Sequence, residues 1–200
     1  MRKFVAFSLA LAAACGLCQS TTIGQDKKDK EPDIIVPFVP TKEKVVEAML
    51  KAAAVKEGDV VYDLGCGDGR IVITAVKQFK AKRGLGIDFN PERLKDCEKR
   101  VKDEKLTAEQ VKQLTFKQGD VLKMTPEDFK DVDVVTMYLL PEVNLKLKPI
   151  LEKGLKPGAR IVSHDFDMGD WKAEKTIQVE ADRTHTVYLW TIPGDKKKDK

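Results

Sequence analysis

The stretch VVYDLGCGDGR, Val60–Arg70, decides the fold class. It begins with a short apolar run, which is typical of a buried β-strand, and it ends in the glycine-rich segment GCGDG. Closely spaced glycines permit a tight turn in which the backbone approaches a ligand. One acid, Asp63, precedes the turn and another, Asp68, lies inside it. The stretch therefore predicts a ligand-binding turn between a strand and a helix.

The spacing of this turn differs from two common nucleotide-binding loops. A dinucleotide-binding fingerprint, G-x-G-x-x-G, needs its third glycine at the position of Arg70. The phosphate-binding loop G-x-x-x-x-G-K-[ST] is also missing, because no Lys-Ser or Lys-Thr pair follows. Carboxylates at Asp63 and Asp68 would repel a pyrophosphate and attract a positively charged group. The loop therefore favours a cationic ligand that carries no phosphate.

Strand-like and helix-like segments alternate along the chain, which predicts an α/β fold with a mostly parallel sheet and helices on both faces. Thr41 is predicted to cap a first helix. The other predicted helices are Ile71–Phe79, Pro91–Lys105 and Glu142–Lys153. The predicted strands are Val60–Leu64, Gly84–Phe89, Leu114–Lys117, Asp133–Leu139 and Ala159–Ser163, followed by an antiparallel C-terminal hairpin of Thr176–Glu180 and Thr186–Thr191. A ligand should lie at the carboxyl ends of the parallel strands.

Two further acids follow the second and third strands. Asp88 comes 19 residues after Gly69, where a carboxylate can accept hydrogen bonds from both ribose hydroxyls. Gly119-Asp120-Val121 follows the third strand and places another acid where an adenine amino group could donate. Together with the loop, these acids describe a nucleoside with a positive tail. S-adenosylmethionine fits that description.

Residues 60–121 resemble a class I S-adenosylmethionine-dependent methyltransferase, which implies a Rossmann-like sheet. A narrower resemblance, over about residues 35–193, is to the small protein-lysine methyltransferases related to those that modify the adenine nucleotide translocase and the c-ring protein of ATP synthase. It is carried by PFVPT (Pro37–Thr41), DLGCGDGRIVI (Asp63–Ile73), YLLP (Tyr138–Pro141) and PGARIVSHDFDMGDW (Pro157–Trp171). The resemblance implies that Thr41 contacts the amino-acid end of the cofactor and that a lysine amine accepts the methyl group.

The predicted cofactor site combines the loop, the acids and their neighbours: Thr41, Asp63, Gly65, Cys66, Gly67, Asp68, Gly69, Asp88, Asp120 and Val121. Tyr138 and His164, each at the end of a strand, are the candidate catalytic residues. Leu139, Leu140, Pro141 and Trp171 are predicted to line the substrate channel, with packing in the core as the open alternative for Trp171. No metal site is predicted, because His164, Asp165, Asp167 and Asp170 match no usual ligand spacing.

Nucleic acid is not an expected partner. The net charge of +4 arises from Arg2 and Lys3 and from the tail DKKKDK at residues 195–200, so the remainder is nearly balanced and forms no basic field. YLLP also differs from the Asn/Asp-Pro-Pro-Tyr motif that is typical of methyltransferases acting on bases. The expected acceptor is therefore a protein or a small molecule.

The N-terminus is typical of a targeting segment. Arg2 and Lys3 precede the apolar run Phe4–Ala14, which predicts a signal peptide or membrane anchor over residues 1–22. Lipid attachment at Cys15 is an open alternative. A charged linker is predicted at residues 23–33, the methyltransferase domain at 34–194 and a lysine-rich tail at 195–200. The expected location is the bacterial cell envelope, by export or membrane association, or facing the cytoplasm if the segment is an anchor.

Several alternatives stay open from the sequence. The chain could methylate a small molecule, bind the cofactor without transferring its methyl group, or act as a nucleotide-linked oxidoreductase. An exported enzyme would also need a supply of S-adenosylmethionine outside the cytoplasm. Whether Cys66 and Cys97 form a disulfide is likewise open.

Overall fold

The computed structural model describes residues 38–194, all within one compact unit. Its helices are α1 (Glu43–Ala52), α2 (Arg70–Phe79), α3 (Pro91–Asp103), α4 (Ala108–Lys112) and α5 (Pro141–Gly154). Its strands are β1 (Val60–Leu64), β2 (Arg83–Asp88), β3 (Leu114–Gln118), β4 (Val134–Met137), β5 (Arg160–His164), β6 (Lys175–Glu180) and β7 (Thr184–Thr191). The predicted alternation of strands and helices is confirmed.

The seven strands form one sheet in the order β3-β2-β1-β4-β5-β7-β6. β1 to β5 are parallel, while β7 lies between β5 and β6 and is antiparallel to both. This arrangement confirms the mostly parallel sheet with an antiparallel C-terminal pair. The strand order reverses between β1 and β4, so a crevice opens at the carboxyl ends of these two strands.

Alternate residues of each strand pack on opposite faces of the sheet. One core contains Val61 and Val134 and is covered by α1 and α2, whose apolar faces include Leu50 and Val72. The other contains Met137, Ile161 and Trp190 of the sheet together with Leu147 and Leu151 of α5. Burial on both faces explains the near-continuous apolar runs of the central strands.

Two local predictions were incomplete or wrong. Thr41 does not cap α1: the N-cap is Lys42, without a side-chain cap, and the Thr41 hydroxyl instead bonds His164 Nδ1 at 3.1 Å. The five-residue helix α4 was not predicted. Its signal was present, because Thr107 and Gln110 form a capping box with the T-x-x-Q spacing.

Among residues 38–194, no helix is both long enough and apolar enough to cross a membrane. The predicted signal or anchor segment, the linker and the tail lie outside the described residues.

Candidate active site

The glycine loop lies at the carboxyl end of β1, where the backbone takes conformations that favour glycine. Gly65, Gly67 and Gly69 have φ of 77°, 54° and 76°. A Cβ at Gly67 would collide with the ring of Phe38, and a Cβ at Gly65 would lie 2.5 Å from Leu139 Cδ2. The loop is therefore enclosed by the segment preceding α1 on one side and by the residue after Tyr138 on the other.

Asp63 is a buried acid at the foot of this loop. Its side chain accepts a 2.7 Å hydrogen bond from Thr136 Oγ1. Burial raises the pKa of Asp63 to about 7; the Thr136 hydrogen bond opposes the rise, and the charges of Asp88 and Asp68 add to it. A cation bound beside Asp63 would favour its ionised form. Asp63 is therefore poised so that a bound cation could shift it from the neutral to the ionised form near neutral pH.

Asp88 and Asp120 lie at the ends of β2 and β3, as the sequence predicts. Asp88 Oδ2 accepts a 2.8 Å hydrogen bond from Gly67 N, and Asp88 Oδ1 accepts one from Asn90 N at 2.9 Å. Asp120 caps a short 3-10 turn by accepting from Leu122 N, next to the half-buried Val121. Each carboxylate oxygen can accept a second hydrogen bond, so both acids retain capacity for ligand hydroxyl or amino groups.

Asp68 has partners that the sequence did not predict. Its carboxylate accepts hydrogen bonds from Arg70 Nε at 2.9 Å and from Arg100 Nη2 at 2.8 Å. Although partial burial opposes the effect, these two guanidinium groups hold the pKa of Asp68 below its usual value. Asp68 therefore connects the loop to α3, and a cationic ligand would compete with two arginines for it.

The two cysteines of the domain are free thiols, which answers the open question about a disulfide. Cys97 Sγ donates to Gly67 O at 3.1 Å and so supports the loop from α3. A hydrogen bond with Cys97, together with burial, raises the pKa of the Cys66 thiol. The Cys66 side chain is buried, so the cofactor contact predicted for this residue would come from its backbone.

The predicted substrate channel begins at Tyr138, directly after β4. The Tyr138 hydroxyl donates to Asp165 Oδ2 at 3.3 Å, and its ring centroid lies 3.8 Å from that of His164. Burial, together with the charge of Asp165, raises the pKa of Tyr138. Tyr138 therefore stays protonated near neutral pH.

The other predicted channel residues occupy different environments. Leu139 is buried against Gly65, Leu140 is the N-cap of α5, and Pro141 is its exposed first residue. Trp171 is half-buried and packs against the core that includes Leu147 and Leu151 of α5, and its carbonyl accepts a 2.7 Å hydrogen bond from Trp190 Nε1. Its placement agrees with the packing alternative for this residue.

His164 lies behind Tyr138 and is 1% exposed. Its Nδ1 bonds the Thr41 hydroxyl at 3.1 Å, and its Nε2 bonds His185 Nδ1 at 2.8 Å. Burial lowers the pKa of His164 to about 4, so the ring is neutral near neutral pH. In this arrangement His164 can position Tyr138 and Thr41 without itself touching a substrate.

Two residues near the channel were missed by sequence reasoning. Asn144 is fully buried on α5, and its Nδ2 bonds Ser163 Oγ, Phe166 O and Asp167 O at 3.2–3.3 Å. Its signal in the sequence was its position on the same helix face as Leu147 and Leu151, which marks Asn144 as a buried polar residue. For His185, on β7, the only signal in the sequence was the alternation of inward- and outward-facing residues along its strand.

A model of the family described as the ANTKMT methyltransferase domain matches residues 63–175 of this chain. The chain belongs to this methyltransferase family. The methyltransferase is 45% identical over 163 residues to a protein-lysine N-methyltransferase of Saccharolobus islandicus, covering 81% of this chain and 96% of the relative. It is 28% identical to the mouse adenine nucleotide translocase lysine N-methyltransferase, covering 80% of this chain and 64% of that protein.

A solved structure, titled as an RNA methyltransferase of Salinibacter ruber in complex with S-adenosyl-L-homocysteine, is 46% identical to this methyltransferase. The superposition has a TM-score of 0.69 and covers 80% of this chain and 98% of the other. The predictions of a class I methyltransferase fold and of S-adenosylmethionine as the cofactor are confirmed. The enclosed glycine loop and the strand-end acids Asp63 and Asp88 agree with a nucleoside at this edge of the sheet.

Proposed function

We propose that this enzyme transfers a methyl group from S-adenosylmethionine to the side-chain amine of a protein lysine. The observation that carries the proposal is the 45% identity, over 96% of its length, to the protein-lysine N-methyltransferase of Saccharolobus islandicus. The mouse relative is likewise named for a lysine acceptor.

The cofactor would be held by the glycine loop and by the three strand-end acids Asp63, Asp88 and Asp120. When bound, S-adenosylmethionine supplies a methyl group that its sulfonium already activates. The protein therefore has mainly to orient the acceptor and exclude water, and good orientation can contribute about 7 to 11 kcal/mol. Leu139, which packs against Gly65, connects the cofactor loop to the acceptor side.

A lysine acceptor must be neutral when it attacks. With an ordinary pKa of about 10.4, roughly one amine in a thousand is neutral near pH 7, a deficit of about 4 to 5 kcal/mol. Removing the ammonium from water lowers its pKa and recovers part of this deficit. The half-buried Tyr138 ring, with the apolar Leu139 and Leu140 beside it, provides such an environment.

The test uses methyl-labelled S-adenosylmethionine and an extract of the source cells. We expect label in material that protease releases, with methylated lysine recovered after acid hydrolysis. Tyr138→Phe, which keeps the ring, should retain more activity than Tyr138→Ala, which opens the channel. Cofactor binding without any transfer of label to protein would refute the proposal.

An RNA acceptor is the second candidate, because the Salinibacter ruber structure is titled as an RNA methyltransferase. The nearly balanced charge of the domain argues against it, since nucleic-acid binding usually needs a basic surface. Label that is removed by ribonuclease and resists protease would favour RNA over lysine.

We also propose that the protein resides in the bacterial cell envelope. The basic pair Arg2-Lys3 followed by the apolar run Phe4–Ala14 supports this location. Cell fractionation with N-terminal sequencing of the mature protein tests it, and a full-length protein found only in the soluble cytoplasmic fraction would contradict it.

A further inference from the structure

The chain contains two histidines, and the fold brings them into direct contact. His164 is the last residue of β5 and His185 lies near the start of the antiparallel strand β7. Their facing nitrogens, His164 Nε2 and His185 Nδ1, are 2.8 Å apart, and both side chains are at least 95% buried. Two buried imidazole nitrogens that face each other at this distance need either one proton or a metal cation between them.

The outer nitrogens of both rings have partners that restrict where the protons lie. His185 Nε2 is 2.9 Å from Asp182 Oδ1, and a carboxylate only accepts, so the proton of His185 is on Nε2 and its Nδ1 presents a lone pair. His164 Nδ1 faces the Thr41 hydroxyl, which can donate or accept. His164 can therefore place its proton on Nδ1 without losing this hydrogen bond. Its Nε2 then presents a second lone pair toward His185.

A third donor atom faces the same point. Asp165 Oδ2 lies 3.4 Å from His164 Nε2 and 3.6 Å from His185 Nδ1. Asp165 has a φ of 60°, in the left-handed region, and its other oxygen accepts from Thr186 N at 2.9 Å. The backbone thus directs this carboxylate at the histidine pair rather than into solvent.

The triangle of donor atoms has the size of a metal site. Ligand atoms about 2.0 to 2.1 Å from a tetrahedral zinc ion lie about 3.3 to 3.4 Å from one another. The two edges to Asp165 match this spacing within about 0.3 Å, and the edge between the histidines would need to open by about 0.5 Å. Two imidazoles and one carboxylate suit zinc and its first-row neighbours better than magnesium or calcium, which prefer oxygen ligands.

We propose that His164 Nε2, His185 Nδ1 and Asp165 Oδ2 form a binding site for a divalent transition-metal ion such as Zn²⁺. Asp182 and Thr41 would orient the two rings, as outer carboxylates and hydroxyls do for metal-bound histidines. The sequence predicted no metal site because His164, Asp165, Asp167 and Asp170 together match no usual ligand spacing. The ligand it missed, His185, comes from a different strand.

Two other groups bond Asp165 Oδ2. The Tyr138 hydroxyl donates to it at 3.3 Å, and the guanidinium of Arg183 forms an ion pair with it. The Arg183 side chain is 52% exposed, so it can turn toward solvent when an ion takes its place. An occupied site would join the end of β5, the start of β7 and Thr41, whose carbonyl accepts a 2.7 Å hydrogen bond from Arg70 Nη1. Metal occupancy would thereby stabilise the segment that encloses the cofactor loop.

The experiment measures metal binding directly and needs no methyl transfer. Full-length protein without a histidine tag, carrying Cys15→Ser and Cys18→Ser so that these thiols bind no metal, is stripped with a chelator and titrated with Zn²⁺ by calorimetry. We expect one ion per chain. Because the chain has two histidines, ¹⁵N spectra of the imidazoles assign the ligating atoms, and we expect large shifts at one nitrogen of each ring.

Variants separate a built site from incidental binding. His185→Gln should weaken Zn²⁺ binding at least about 100-fold, and Asp182→Asn, which leaves all three proposed ligands in place, about 10-fold or more. Asp170→Asn, at an exposed acid of the neighbouring loop, is the matched control and should leave the affinity unchanged. Thermal melting verifies that each variant is folded. If His185→Gln does not fold, Asp182→Asn still tests the site. Absence of one-to-one binding, equal affinity in Asp182→Asn, or a hydrogen between the two rings that persists in excess zinc would overturn the proposal.

Discussion

Replacing Asp63 by asparagine should change how the stability of the cofactor-free protein depends on pH. The substitution keeps an oxygen that can accept the Thr136 hydrogen bond and removes the titrating carboxyl. Burial raises the pKa of Asp63 from 3.8 to about 7. Between these values the folded protein retains a proton that the unfolded chain has lost. Folding stability therefore falls as pH rises from about 4, and the loss is complete above about pH 7.

The size of this effect follows from the pKa shift. One unit corresponds to about 1.4 kcal/mol, so a rise of about three units costs about 4 kcal/mol when the carboxyl is ionised. Roughly 2.5 kcal/mol of this falls between about pH 5 and pH 8. We expect the unfolding free energy of Asp63→Asn to rise by that amount relative to the wild-type protein over this interval, because the other groups titrate equally in both proteins.

Urea denaturation of both proteins at several pH values measures the difference. Asp131→Asn, at an exposed position, controls for the loss of one surface charge. Calorimetry should also show S-adenosylmethionine binding that strengthens with pH up to about 7 in the wild-type protein and stays weak in Asp63→Asn. A stability difference that changes by less than about 1 kcal/mol across the interval would refute the assignment of this pKa to burial of Asp63.

Three further substitutions test the packing around the site. Gly67→Ala should displace Phe38 and weaken cofactor binding at least about tenfold by calorimetry. Gly158→Ala is the control: it is also at positive φ but has open space around it, and it should cost only about 1 kcal/mol of stability. Equal losses of cofactor affinity in the two variants would contradict the role of Phe38. Asn144→Ala should lower stability by about 2 kcal/mol in urea and speed hydrogen exchange at residues 166–167, which it anchors; unchanged exchange would argue against that role. Trp190→Phe leaves a backbone carbonyl unpaired and should cost about 2 to 3 kcal/mol in thermal denaturation, and a loss below about 0.5 kcal/mol would show that the indole hydrogen bond contributes little.

The sequence predicted those parts of the site that follow from strand order. Asp63 lies within one apolar run and Asp88 near the end of another. Parallel strands have their carboxyl ends at one edge of the sheet, so the two acids lie at that edge. Positions at that edge can be assigned without knowing any side-chain contact. The same argument placed Tyr138 at the end of the fourth strand, and in the structure it directly follows β4.

Contacts between distant segments could not be read in this way. Arg100 reaches Asp68 from α3, 32 residues along the chain, and forms an ion pair with it. Thr41 has the residue type of a helix cap, but His164 competes for its hydroxyl across 123 residues. In both cases the side chain follows the partner that tertiary packing supplies, and local preference does not reveal it.

The antiparallel direction of β7 has a consequence for how this enzyme can diverge. Because β7 runs against β5, its first residues rather than its last meet the functional edge, next to His164. Residues 63–121, from β1 to the turn after β3, carry the proposed cofactor half of that edge, while β4, β5 and the start of β7 carry the proposed acceptor half. We therefore expect insertions or substitutions in residues 166–174, which follow β5 at this edge, to change acceptor preference more than cofactor affinity. On this sheet, acceptor preference could thus diverge through the segment after β5 without any change in strand order.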